Sequence, residues 1–146
     1  MFLTTDELEA LVYRCEGLQS IVHLYDELRI QHSISDGIKL KYLFLWVVYE
    51  LMKQGRLDFL GESWVRDGAD DNAPFMFGDQ PFSPDDVVIN GLKQPIDSNP
   101  EGVVRLIESK WPHQIVAAFN IHDQGFDPIW FEKWCFAWHN KIGKQI

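Results

Sequence analysis

From its first turn the chain places apolar residues with the period of a helix. "TTDELEALVYRCEG" begins with Thr4 three residues ahead of Glu7, the spacing of a capping box, and then sets Leu8, Leu11, Val12 and Cys15 on one face. Gly17 interrupts the pattern and Leu18, Ile21, Val22, Tyr25 and Leu28 resume it, which predicts two short helices or one helix broken at the glycine. A further helix is predicted between Ser35 or Asp36 as its cap and Lys53, Gln54 and Gly55 at its end, a basic residue before glycine being what a helix C-terminus favours. Within it, residues 40–48 are apolar on nearly every side, Lys41 excepted. A helix with no solvated stripe must be covered by other elements, so it is expected at the centre of the domain.

Periodicity then fails. Residues 56–60, "RLDFL", suit a short strand or an extended connector, and "GESWVRDGADDNAPFMFGDQPFSPDD", residues 61–86, mixes glycine, proline and aspartate, which favour turns. A loop is predicted over 61–83, a length that in compact domains accompanies function or disorder. Helical grammar returns at Ser83, Pro84, Asp85 and Asp86, with cap, first-turn proline and dipole-favoured acids ahead of Val87, Val88 and Leu92. It recurs at Asn99, Pro100 and Glu101, ahead of Val103, Val104, Leu106 and Ile107, and again at Pro112 with Ile115, Val116 and Phe119, although "QIVAAFNI" also suits a buried strand. Asp127 and Pro128 open the last predicted helix, in which Trp130, Phe131, Trp134, Cys135, Trp138 and Ile142 recur until Gly143. The expectation is an all-α fold: a single domain over residues 1–146, with six or seven helices, one long acidic loop at 61–83 and at most a short strand or hairpin near 56–60.

A chain of 146 residues is the size of one domain and buries roughly two thirds of its unfolded surface. Charge changes the picture more than size does. Of the net charge of −9, residues 57–86 carry −7, from eight acids and one arginine. A field concentrated in this way steers basic partners and repels nucleic acid, so direct nucleic-acid binding is not expected. Cys15 and Cys135 stand far apart without CxxC spacing, and both are read as buried thiols on helical faces. There is no basic, apolar leader at the N-terminus and no run of about 20 apolar residues, so the expected setting is the reducing cytoplasm, off the membrane.

Signals for catalysis are weak. The five histidines, His23, His32, His113, His122 and His139, form no HExxH or related ligand pair, and no GxSxG turn or phosphate loop is present. Asp70 with Asp71 and Asp85 with Asp86 are sequence neighbours that point apart, and "DGADDNAPFMFG" lacks the ligand pattern of a calcium loop. No cofactor, metal site or catalytic residue is therefore assigned. One enzymatic alternative stays open, a small metal- or histidine-dependent site built on His122, Asp123 and His139. What the acidic segment does supply is an interface composition, in which Asp67, Asp70, Asp71, Asp79, Asp85 and Asp86 surround Trp64, Phe75 and Phe77 as candidate anchors. The opposing reading turns the aromatics inward and leaves the acids facing water.

Two stretches, "LFLWVVYELMKQGRLDFLG" (43–61) and "NPEGVVRLIESKWP" (99–112), resemble segments of a family of small bacterial proteins found beside polymorphic-toxin genes. The resemblance covers 33 of the 146 residues and includes no active-site motif. It implies an immunity protein of contact-dependent growth inhibition or a related toxin system, a stoichiometric inhibitor that forms a 1:1 heterodimer with a cognate toxin. A nuclease with a basic cleft is the expected toxin class, because carboxylates can stand where its phosphates would lie. A generic acidic protein-binding adaptor needs the same complementary surface and remains the other alternative.

Overall fold

The computed structural model describes residues 2–18, 20–62, 75–77, 80–82 and 99–139. Helix α1 (Thr5–Cys15) starts on the expected capping box: Thr4 Oγ1 accepts from the Glu7 amide at 3.1 Å, and Glu7 Oε1 accepts from the Thr4 amide at 3.0 Å. Helix α2 (Val22–Gln31) follows the break around Gly17. The Asp36 carboxylate accepts from the amides of Ile38 and Lys39 and so caps α3 (Gly37–Lys53). Asn99 and Pro100 open α4 (Pro100–Ser109) as their spacing predicts, with Asn99 Oδ1 accepting from the Glu101 amide at 2.9 Å. The ambiguous run after Pro112 is helical for one turn, α5 (His113–Ala117), and buries Ile115 completely.

Helix α3 occupies the centre. Leu40, Phe44, Val47, Val48 and Leu51 are fully buried, and α2, α4 and α5 pack around the helix together with a strand described below. A cluster of rings closes over it: Tyr25, Trp111 and Phe131 surround Phe44 at centroid distances of 5.8, 5.8 and 5.9 Å. Two of these groups keep their polar ends satisfied or shielded differently. The Tyr25 hydroxyl donates to the Phe119 carbonyl at 2.8 Å, whereas Trp111 Nε1 is buried and has no hydrogen-bond partner among the described residues. At its N-terminus α3 meets the α5 backbone so closely that a Cβ at Gly37 would collide with the Val116 carbonyl oxygen. None of the described helices is long and apolar enough to cross a membrane.

The end of α3 sets up the second half of the fold. Gly55 has φ +72°, the left-handed conformation that glycine tolerates, and its amide and that of Arg56 donate back to the carbonyls of Met52 and Leu51. This cap turns the chain directly into β1 (Leu57–Glu62) and carries Arg56 inward to 7% exposure. Its guanidinium donates to Glu9 at 2.7 Å and to the His139 carbonyl at 3.1 Å, and lies 3.9 Å from Glu16. A single side chain thus clasps α1 to the C-terminal end of the described chain.

The all-α expectation is corrected here. The described residues form six helices and four strands, the strands in two antiparallel pairs. Strand β1 lies where the sequence allowed either strand or connector. Its partner is unexpected: the aromatic stripe predicted as one helix from Asp127 to Gly143 divides into a single turn, α6 (Pro128–Glu132), and β4 (Trp134–Trp138). Asp127 does cap α6, accepting from the Ile129 amide. Beyond it, Trp134, Phe136 and Trp138 also satisfy a two-residue repeat, and large aromatics suit a pleated surface. Pairing with β1 resolves the ambiguity, placing Leu57 opposite Trp138 and Phe59 opposite Phe136, with a bulge between Phe59 and Gly61. Cys135 is accordingly a half-buried strand residue, while Cys15 is the buried helical thiol that was expected. The helix predicted from Ser83 and the chain beyond His139 lie outside the described residues.

Three outcomes follow from this packing. Gly37→Ala would gain about 0.5–1 kcal/mol of helix propensity but must displace backbone at a cost of about 1–3 kcal/mol, so a lower urea midpoint is expected. Arg56→Met strands two half-exposed carboxylates and a carbonyl, and equilibrium unfolding should show a loss of about 2 kcal/mol. Burial, reinforced by the Glu27 charge, pushes the Cys15 thiol from an ordinary 9.0 up to about 12. The folded state then resists an ionisation that the unfolded chain undergoes, so stability falls as pH rises above about 9, by about 1.4 kcal/mol per pH unit until the folded thiol also titrates. Urea titrations from pH 8 to 10.5 should show a shallower decline for Cys15→Ala than for the wild type.

Candidate functional site

The acidic segment begins on a described strand. Strand β1 carries its first acid, Asp58, whose side chain is 67% exposed, and runs on to Glu62, which pairs in register with Trp134. Further along, β2 (Phe75–Phe77) and β3 (Gln80–Phe82) form an antiparallel pair with Phe75 opposite Phe82, Met76 opposite Pro81 and Phe77 opposite Gln80. The long loop predicted over 61–83 therefore contains strand in each of its described stretches, 61–62, 75–77 and 80–82. Antiparallel pairing of two short stretches explains this, since the backbone hydrogen bonds come from the partner strand and not from a local period. Of the candidate contact residues, Phe75 and Phe77 belong to β2, whereas Trp64, Asp67, Asp70, Asp71, Asp79, Asp85 and Asp86 lie outside the described residues.

Asp58 has a neighbour that sequence reasoning associated with a different site. His139 Nε2 approaches the Asp58 carboxylate to 3.3 Å, a charge contact when the ring is protonated, although the approach lacks hydrogen-bond alignment. The His139 amide also donates to the Arg56 carbonyl at 2.9 Å. His139 is thus tied to the β1 root of the acidic segment. Sequence offered no signal for this pairing, because 81 positions separate the two residues and only the β1–β4 register brings them together.

The residues considered for histidine chemistry do not converge. His122 is exposed in a turn whose geometry is set by Asn120 and Asp123: Asn120 Oδ1 accepts from the His122 amide, and the Asp123 carboxylate accepts from the Asn120 amide at 3.2 Å. The carboxylate that would orient a catalytic imidazole instead holds its own turn. His139 finds Asp58 and Arg56, not this pair. Among the described residues no group of three or more histidine, cysteine or acidic side chains is arranged to hold a metal ion.

The side of the fold formed by the N-terminus, α2 and α3 has a different character. Phe2, Ile38 and Tyr42 are exposed by 61, 54 and 47%, and with Leu3, Ile34 and Leu43 they line an open cleft of about 570 Å³. The basic side chains on its wall are Lys39 and His32, and Tyr42 adds a hydroxyl. Sequence analysis missed this cleft. Leu3 and Leu43 belong to the buried core, and exposed apolar positions such as Ile38 and Tyr42 on an otherwise core-forming helix carry no distinctive spacing.

Comparison with known proteins finds no matching protein-family model, no matching curated protein and no matching solved structure, so none places the chain in an enzyme family.

Proposed function

We propose that this chain is an immunity-type protein, a cytoplasmic stoichiometric inhibitor that binds a cognate bacterial protein toxin through its acidic segment. The observation that carries the reading is the distribution of charge, −7 of the net −9 within residues 57–86. A structural role does not require such concentration, and acids crowded together repel one another at a cost to folding. As a steering surface the same crowding accelerates encounter with a basic cleft, and the aromatics among the acids supply apolar contacts that slow release.

Two further features support it. The exposed carboxylate of Asp58 begins the acidic run on a strand anchored by β4 and Arg56. The stretches 43–61 and 99–112, which resemble toxin-associated bacterial proteins, pack against each other as α3 with β1 and α4. A nuclease fits best as the toxin, because its substrate-binding cleft is basic and an acidic partner can occupy it.

The test is genetic and biophysical together. Asp67→Lys, Asp70→Lys, Asp71→Lys and Asp79→Lys, combined in one variant, should abolish protection of cells expressing the toxin encoded beside this protein while leaving its helical circular dichroism intact. Association of the wild type with that toxin should weaken steeply with added salt. Protection retained by the four-lysine variant would overturn the assignment of this surface.

A further inference from the structure

The cleft between the N-terminus and α3 has walls and a charge that specify a ligand. Its volume of about 570 Å³ falls within the range of small-molecule sites, roughly 300–1,000 Å³. Phe2, Leu3, Ile34, Ile38, Tyr42 and Leu43 make the walls apolar. Phe2 is held at one side by an edge-to-face contact with Trp46 at 5.5 Å, so this wall is braced by the helix that forms the core. In a chain of net charge −9, the lining of this cleft holds two basic side chains, Lys39 and His32, and no acidic one, with the Tyr42 hydroxyl as its other polar group. The Lys39 ammonium has no ion-pair partner among the described residues. Two carboxylates border the site, and each is engaged by backbone amides: Glu7, 3.9 Å from His32 Nδ1, by the Thr4 amide in the α1 capping box, and Asp36 by the Ile38 and Lys39 amides at the start of α3.

We propose that this cleft binds a small amphipathic anion, a carboxylate carrying a medium-length alkyl or aryl group. The apolar body lies against Ile38, Tyr42 and Phe2, and the carboxylate meets Lys39 with His32 beside it. The proposal is independent of toxin binding, because it uses none of the acidic segment.

Calorimetric titration of the full chain with decanoate, decanol and decyltrimethylammonium tests it. Decanoate should bind with 1:1 stoichiometry and more tightly than either of the others. Lys39→Met, at an exposed position where the fold is not at stake, should weaken decanoate by about three- to fivefold and leave decanol unchanged. Ile38→Asp, with unchanged circular dichroism, should remove binding of both. Absence of decanoate binding, equal affinity for all three probes, or decanoate affinity unaltered by Lys39→Met would each overturn the proposal.

Discussion

Everything in this fold answers to the need to cover α3. Its residues 40–48 present apolar side chains in nearly every direction, and a helix of that kind gains its stability from tertiary burial far more than from propensity. The cover comes from α2 on one side, α4 on another, α5 across its first turn and β1 at its far end. Each of these elements is short, and α5 and α6 are single turns with no independent stability. They exist because they lie on α3 or on the ring cluster above Phe44.

Cover alone would leave the last strand unplaced, and polar contacts do that work. The α3 cap delivers Arg56 to a position where its guanidinium meets Glu9 of α1 and the His139 carbonyl at the end of β4. Arginine suits the position because its planar fork can engage a carboxylate and a carbonyl at once while its charge stays partly balanced. The β1–β4 pair held in this way is also the root of the acidic segment, so the residue that closes the fold helps present the charge proposed to act on a toxin.

Along the sequence the excess acids concentrate in residues 57–86, whereas three of the exposed apolar side chains, Phe2, Ile38 and Tyr42, gather with Lys39 and His32 around the N-terminal half of α3. One region is suited to long-range attraction of a basic macromolecule, the other to short-range capture of something partly apolar and anionic.

Local chemistry made much of this architecture legible. Thr4 with Glu7, Asp36, Asn99 with Pro100, and Asp127 with Pro128 each cap a helix as their spacing implies, because a cap depends on side chains within three residues of the amides they satisfy. The centrality of α3 and the skew of charge toward residues 57–86 were equally plain, since both are properties of sequence alone. The tertiary structure decided what local pattern left degenerate. Trp134, Phe136 and Trp138 fit a helical stripe and a strand alike, and only the partner strand β1 selects the strand, since the backbone hydrogen bonds of a sheet come from a distant part of the chain. Arg56 between α1 and β4, His139 beside Asp58, and the cleft at Lys39 arise in the same way, from residues whose proximity no sequence period encodes.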